Sequence, residues 1–361
     1  MIRSSAILVY DALKTLALMA ADKLPELEWL VYEVTDACNS RCKHCNIWRS
    51  KSTKDLLTPE EIKEVFSDNL FKNLKYMIIT GGESFLRKDL EDIILSIHEV
   101  LPNTRMTLST NGLLPERVID VVKTAIKNNI CIDVGISLDG IGEKHDFIRG
   151  VKGNFEKVDS LLQELLILKK EQGDRFTVTI AHTLSNLTAD LLLETAKYAK
   201  NLNLDFLTQM CEEFSYYSNL GDIKQSNNNN YKQIQAVKQL PPSIHNEILL
   251  KTLRHHKPIK FRCFSMKTFF LLRCNGDIAP CLRFSNNKVE NIRDYSPSEI
   301  WQSAAAREAR NLIKTCQGCS NTWATSWSFS PWFPPFFDVI INYILKKKIA
   351  QFRKNRISET A

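Results

Sequence analysis

The sequence predicts an α/β fold of six parallel strands joined by right-handed helical crossovers, followed by a small cysteine-bearing extension. The sheet is either open or rolled into a partial TIM-like barrel. Three observations predict this. Six short apolar, β-branched runs recur between residues 30 and 210, and stretches with helical spacing separate them. The regularity then stops near Cys211, and the later cysteines gather between Cys263 and Cys319.

The predicted strands are Leu30–Thr35, Tyr76–Thr80, Arg105–Ser109, Ile132–Leu138, Phe176–His182 and Leu204–Gln209. Thr58-Pro59-Glu60-Glu61 reads as a helix start, with a capping threonine and proline at the first helical position. Asp89–Val100, Glu116–Lys127, Phe155–Lys170 and Thr188–Lys200 carry apolar residues at helical spacing. Gln225–Asn230, with four consecutive asparagines, reads as an exposed linker, and Pro242–His256 as a helix. The resulting division is an N-terminal helical segment (1–29), a core (30–210), a linker and helix (211–260), a cysteine domain (261–320) and an aromatic, basic tail (321–361).

Charged residues make up 25% and hydrophobic residues 44% of the 361, an ordinary globular balance. The net charge of +7 is mild and owes much to Lys346–Lys348, Arg353, Lys354 and Arg356, so nucleic-acid binding gains little support. Ten cysteines are the informative excess. No secretion signal accompanies them and no apolar run reaches about 18 residues, so the expected compartment is the reducing cytosol, where clustered thiols hold metal.

Immediately after the first predicted strand comes Cys38-Asn39-Ser40-Arg41-Cys42-Lys43-His44-Cys45. Three thiolates so close together on a loop can hold three irons of a cubane and leave the fourth open to another ligand. Zinc is the competing reading, although its structural sites favour four closed ligands and CxxC pairs.

On this CxxxCxxC loop the chain resembles the radical S-adenosylmethionine superfamily, and other motifs follow in that family's order. Gly81-Gly82-Glu83 follows strand two, with Ser84 where proline is commoner; Ser109-Thr110-Asn111-Gly112 ends strand three; Ser137-Leu138-Asp139-Gly140 ends strand four, ahead of His145-Asp146 and Arg149-Gly150. Singly these are turns and strand exits. Jointly they fall at the carboxyl ends of strands, where barrels place their chemistry. The resemblance implies a partial (β/α)6 TIM-like barrel and a [4Fe–4S] cluster on Cys38, Cys42 and Cys45, with S-adenosylmethionine on its open iron. It implies His44 near the adenine, Gly81, Gly82 and Glu83 at the methionyl amino group, and Ser109 and Asn111 at the strand-three edge of the cofactor site. Ser137 and Asp139 would lie near the ribose, and Arg149 would pair with the carboxylate. The implied activity is reductive cleavage to a 5′-deoxyadenosyl radical that abstracts a substrate hydrogen, with a low-potential donor such as flavodoxin or ferredoxin.

Cys263, Cys274, Cys281, Cys316 and Cys319 form a second group, with Asn275-Gly276 as a hairpin turn and Cys316-Gln317-Gly318-Cys319 as a tight pair. The group resembles the twitch, or shortened SPASM, extension of radical enzymes. The resemblance implies one auxiliary [4Fe–4S] cluster on Cys263, Cys281, Cys316 and Cys319; an all-cysteine zinc site is the alternative. Cys274 is expected to be a non-ligand, and Cys131 and Cys211 core thiols.

A closed auxiliary cluster suits electron transfer, so the leading expectation is oxidation of a small-molecule or sugar-like substrate, with the general base unassigned. Peptide maturation and lipid modification are the enzymatic alternatives, and a zinc or iron–sulfur scaffold the non-enzymatic one. Only about 29 residues precede the first strand, too few for a leader-peptide-binding domain. Ala6–Met19 and Phe336–Ile349 could form apolar-faced helices, the latter beside Trp323, Trp327, Trp332 and basic residues. The tail therefore reads either as packed on the barrel with a solvated end or as a peripheral membrane contact.

Overall fold

A computed structural model of the chain describes residues 24–49, 54–220, 230–261, 263–320 and 341–348. Six parallel strands alternate with helices: β1 (Trp29–Thr35), α1 (Pro59–Phe66), β2 (Tyr76–Gly81), α2 (Leu90–Val100), β3 (Arg105–Thr110), α3 (Pro115–Lys127), β4 (Ile132–Ser137), α4 (Glu143–Arg149), α5 (Asn154–Gln172), β5 (Phe176–Leu184), α6 (Leu192–Asn201) and β6 (Asp205–Met210). Then come α7 (Tyr231–Gln239), α8 (Ile244–His255), β7 (Leu271–Leu272), β8 (Ile278–Ala279), α9 (Pro297–Gln302) and α10 (Ala304–Lys314). The order across the sheet is β6-β5-β4-β3-β2-β1-β7-β8, a partial barrel whose ends do not pair.

Local chemistry sets the boundaries. Thr58 caps α1 through a reciprocal capping box with Glu61, and Pro59 occupies the first turn, where its missing N–H is no loss. The helix expected from Thr188 begins as a 3-10 turn, Ala189–Leu191, because the Thr188 hydroxyl is drawn back to the Thr183 carbonyl at 2.6 Å.

Alternation along the strands separates two faces. Met106, Leu108, Val134, Ile136, Val178 and Ile180 are buried against the helices, whereas Thr107, Ser109, Gly135, Ser137, Thr179 and Thr183 on the opposite, concave face are half-buried. At the amino-terminal end of that face Asp133 accepts from Arg105 Nε at 2.8 Å and from Thr107 Oγ1 at 3.3 Å, and it also accepts from Thr177. Arg105 Nη1 reaches the Asp174 carbonyl at 2.9 Å. This charged floor closes the bottom of the barrel and leaves the carboxyl ends of the strands as the mouth.

One expectation needs correction. The stretch expected to be linker plus one helix holds two helices: α7 and α8 bury Ala236, Val237, Leu249, Leu250 and Leu253 against Leu184 and Leu192. The extension joins the barrel. Its hairpin continues the sheet, with Leu271 paired to Val31 in parallel and Leu272 to Ile278 antiparallel. Phe270, 1% exposed, joins the main core beside Phe71 and Trp301, and this burial docks the hairpin.

The N-terminal helix, residues 225–229 of the asparagine-rich patch and the tryptophan-rich stretch lie outside the described residues. Of the tail, residues 341–348 are helical. Among the described residues no helix is long and apolar enough to cross a membrane.

Candidate active site and auxiliary thiol site

The loop after β1 carries Cys38, Cys42 and Cys45, each half-buried. Close backbone contacts hold it against β2. Gly82 N donates to the Thr35 carbonyl at 2.9 Å and Glu83 N to the Ala37 carbonyl at 2.8 Å. A Cβ at Gly81 would lie 2.0 Å from the Thr35 carbonyl oxygen, and one at Gly82 would lie 2.2 Å from that of Ala37. The paired glycines are therefore required where strand and loop touch.

The other side of the loop rests on α4. Arg41 N and Ser40 Oγ both donate to the Arg149 carbonyl, at 2.9 and 3.0 Å. Gly150 ends α4 with φ +69°, and a Cβ there would meet the Arg41 carbonyl at 2.3 Å.

Glu83 is buried, and its carboxylate accepts from Thr110 Oγ1 (2.9 Å), Asn111 N (2.7 Å) and Phe85 N (3.3 Å). Burial pushes its carboxyl up to about 7. Its side chain is thus spent on joining β2 to β3. Asn111 reaches from β3 to the cluster loop, its Nδ2 donating to Asn39 Oδ1 at 2.8 Å.

Asp139 lies at the centre of the site, fully buried. Arg149 Nη2 stands 2.8 Å from its Oδ2, Thr183 N donates to its Oδ1 at 2.7 Å, and His44 Nε2 lies 3.9 Å away. Burial alone would raise the Asp139 carboxyl, but Arg149, His44 and His182 together hold it down to about 2. Arg149 also sends Nη1 toward Cys42 Sγ at 3.7 Å. Arg149 therefore pairs with Asp139 inside the protein, where the family resemblance had it pairing with a cofactor carboxylate. His145 braces the group, accepting from Asp139 N at 3.1 Å. Burial lowers both His44 and His145 to about 4, so both rings are neutral at neutral pH.

A cofactor at this mouth fits the residues. His44 Nδ1 and Arg149 Nε are buried and lack hydrogen-bond partners, and such orphaned atoms carry an energetic penalty that a polar ligand removes. Ser109 and Ser137 face the same concave surface, half-buried. Burial raises the Cys38 thiol to about 11 and that of Cys45 to about 12, so holding them as thiolates requires a bound cation.

Sequence reasoning missed the segment after β6. Asn219 Nδ2 donates to the carbonyls of His44 (3.0 Å) and Glu212 (3.1 Å), and the Glu212 carboxylate accepts from Ser320 N at 2.6 Å. Burial raises Glu212 to about 7. The segment lays Phe214 and Tyr216 over Val31, Ile78, Leu271 and Ala279, so it spans the concave face between β6 and β1. The available signal was an acidic pair, Glu212-Glu213, three residues past the end of a predicted strand.

At the second site Cys263, Cys281 and Cys319 pack against Phe264 and Phe269, and the Cys316 thiol adds to the upward push on Cys281, which burial chiefly raises to about 12. Gly318 has φ +99°, and a Cβ there would meet the Ile259 carbonyl at 2.2 Å. Cys319 also packs on the apolar group that carries Cys38 and Cys45, so the two thiol groups share one wall. Cys274 is buried apart from the four, its Sγ donating to Glu33 Oε1 at 3.2 Å. Cys211 is buried as expected, but Cys131 is half-buried because it precedes β4 at the barrel rim. Among the described residues no three His, Cys, Asp or Glu side chains gather closely enough for a single metal ion; a cubane is a larger body and spreads its thiolates further.

Residues 32–199 match the family described as the Radical SAM superfamily, and residues 263–320 match SPASM, an iron–sulfur cluster-binding domain. The GTP 3′,8-cyclase of Aquifex aeolicus is 31% identical over 191 residues, 52% of this chain and 57% of the relative. The Fe-coproporphyrin III synthase of Methanosarcina barkeri is 33% identical over 165 residues, 44% of this chain and 38% of the relative. The chain thus spans about half or less of the length of these curated relatives. A crystal form of anSMEcpe with bound AdoMet and the Cp18Cys peptide superposes with a TM-score of 0.59 at 19% identity, covering 90% of this chain and 100% of that one, a likeness of fold.

The Asp139–Arg149 pair gives a pH-dependent prediction. Asp139→Asn leaves a buried guanidinium unpaired and should cost ~3–5 kcal/mol in urea unfolding at pH 7. Because the folded carboxyl titrates below its unfolded value of about 3.9, the pair's contribution is complete above that pH and lost as pH falls through 2. The gap between wild type and variant should therefore narrow from pH 4 to 2. A gap that stays constant contradicts the pairing.

Proposed function

This chain belongs to the radical SAM superfamily and carries a SPASM iron–sulfur domain, and from that premise we propose that it is an enzyme that takes a hydrogen atom from a neutral, polar small molecule and oxidises it. The cofactors of these domains are S-adenosylmethionine, a catalytic [4Fe–4S] cluster and auxiliary cluster chemistry. When bound, they supply a low-potential electron and a primary carbon radical.

The residues of the chain do the rest. Cys38, Cys42 and Cys45 hold the catalytic cluster and leave one corner for the sulfonium cofactor. His44, Gly81, Gly82, Glu83, Ser109, Asn111, Ser137, Asp139 and Arg149 line or brace the cofactor's place. Of these, the neutral His44 ring presents a buried Nδ1 without a partner, and Arg149, paired with Asp139, presents its Nε. Cys263, Cys281, Cys316 and Cys319 hold the auxiliary cluster; four thiolates leave substrate no open iron, which supports oxidation over substrate ligation there.

The observation that carries the substrate reading is the concave face. Thr107, Ser109, Ser137, Thr179, Thr183 and Gln209 are half-buried hydroxyl and amide groups, and the charges at the barrel floor are already paired to each other. Such a lining orients a sugar-like molecule through neutral hydrogen bonds. Holding the substrate C–H bond near the radical and keeping water out is the protein's part of the catalysis. Peptide maturation is the second reading, supported by the peptide in anSMEcpe.

A cytoplasmic setting with membrane contact is also proposed. Lys346 Nζ lies 2.5 Å from Glu247, which docks helix 341–348 on α8, while Ile341, Ile344 and Leu345 project as exposed residues beside Lys347 and Lys348. Deleting residues after Ser330 should move protein from anionic liposomes to the free fraction; no movement contradicts the contact.

The central test is anaerobic. Dithionite-reduced protein should convert S-adenosylmethionine to 5′-deoxyadenosine, with deuterium from a labelled neutral polyol substrate appearing in that product. Cys42→Ala should abolish the product and Cys274→Ala should retain it. A colourless, zinc-loaded protein without product overturns the reading.

A further inference from the structure

The outer side of the cluster loop has no role in the site described above, yet it is chemically distinctive. From Cys38 to Arg49 the chain has no acidic residue and three exposed basic ones, Arg41, Lys43 and Arg49. Other exposed bases of the molecule face acids, as in Lys63–Glu99, Lys144–Glu194 and Lys232–Asp190. Here they face aromatic rings. Arg41 and Arg49 each lie over the Trp48 ring, at 4.8 and 4.9 Å, and Lys43 lies 4.2 Å from the centre of Phe147. Phe147 is 62% exposed, unusual for so large an apolar side chain. The carboxylate of its neighbour Asp146 accepts from Gly153 N and Phe155 N, so it is directed to the start of α5 and not to the bases of the patch. The exposed acid of α4, Glu143, stands at the helix's other end.

Two further facts point inward. Cys42 directly precedes Lys43, and Cys45 lies three residues before Trp48, so the patch is borne by the same loop as the thiols. Trp48 Nε1 donates to the Cys45 carbonyl at 3.0 Å, which places an aromatic ring directly between a thiol-bearing residue and the patch.

We propose that the Arg41–Lys43–Trp48–Arg49–Phe147 surface is the docking site of a small acidic protein carrying a one-electron redox group, and that the electron enters the catalytic cluster there. This rests on the cluster assignment of the proposed function. The basic rim steers an acidic partner, and the aromatic centre supplies a compact, desolvatable contact. In the transfer the partner's anionic flavin hydroquinone gives up one electron and becomes the neutral semiquinone with no proton moved, and the cluster gains that electron. The opposite, concave side of the loop stays free for cofactor and substrate, so donor and substrate do not compete.

The test uses the full-length, cluster-loaded protein, flavodoxin hydroquinone as the probe, and bleaching of the cluster absorbance in a stopped-flow instrument. The second-order rate should fall with added salt, and Lys43→Glu/Arg49→Glu should lower it ~10-fold or more at low ionic strength. The same variant should be reduced by dithionite, and should form 5′-deoxyadenosine with dithionite, at wild-type rates. A control reversal on α3, Lys123→Glu/Lys127→Glu, should leave the flavodoxin rate unchanged. Phe147→Ser should lower the rate without altering its salt dependence. A flavodoxin rate unchanged in the double variant overturns the proposal, as does an equal loss in the α3 control. Loss of dithionite reduction in wild type would instead sink the cluster reading, so the two failures are distinguishable.

Discussion

The arrangement depends on close contact between the β1 loop and the elements on either side of it. Thr35 and Ala37 present carbonyls to the β2 exit, and the Arg41 carbonyl meets the end of α4; each contact is so tight that a single Cβ would lie 2.0–2.3 Å from an oxygen. Glycine at 81, 82 and 150 is the only side chain those contacts admit. A loop held by backbone on two sides gives its thiols fixed positions without spending side chains on the task. The Asp139–Arg149 pair then completes the support from above, with Arg149 touching Asp139, Cys42 and, through its carbonyl, Ser40 and Arg41.

Around this loop the molecule divides its concave face into two parts. Over β1, β2, β7 and β8 the segment after β6 packs Phe214 and Tyr216 onto aliphatic side chains and closes the surface. Over β3 to β6 the surface stays open and polar. The same segment ties the two thiol sites together: Asn219 grips the His44 and Glu212 carbonyls, Glu212 grips the residue after Cys319, and Arg273 of the hairpin pairs with Glu33 of β1 at 3.0 Å. The extension is therefore structurally part of the barrel, and short polar contacts link the two thiol sites.

Much of this was legible beforehand, for physical reasons. Strand ends fell within a residue or two because β-branched runs end at glycine, serine or asparagine, as at Thr80-Gly81 and Ser137-Leu138-Asp139. The cysteine spacing and the paired glycines point to their chemistry because it demands those residues at those offsets. What stayed hidden depends on contacts across the chain. Helix α4 is seven residues long, too short for periodicity to register, and its boundaries are set by glycines with positive φ. Helix α7 was masked by its glutamines and lysines. Glu212 and Asn219 reach Ser320 and His44, partners more than 100 residues away, and Arg149's partner, Asp139, lies across a turn that spacing does not fix.

All of the chemistry proposed for the chain rests on one iron that would be left without a protein thiolate in the β1 loop. Mössbauer spectroscopy of iron-57-loaded protein, with Cys263, Cys281, Cys316 and Cys319 replaced by alanine, tests that iron directly. The account predicts a cubane in which a quarter of the absorption moves to a larger isomer shift when S-adenosylmethionine is added. Four equivalent irons, indifferent to the cofactor, would contradict it.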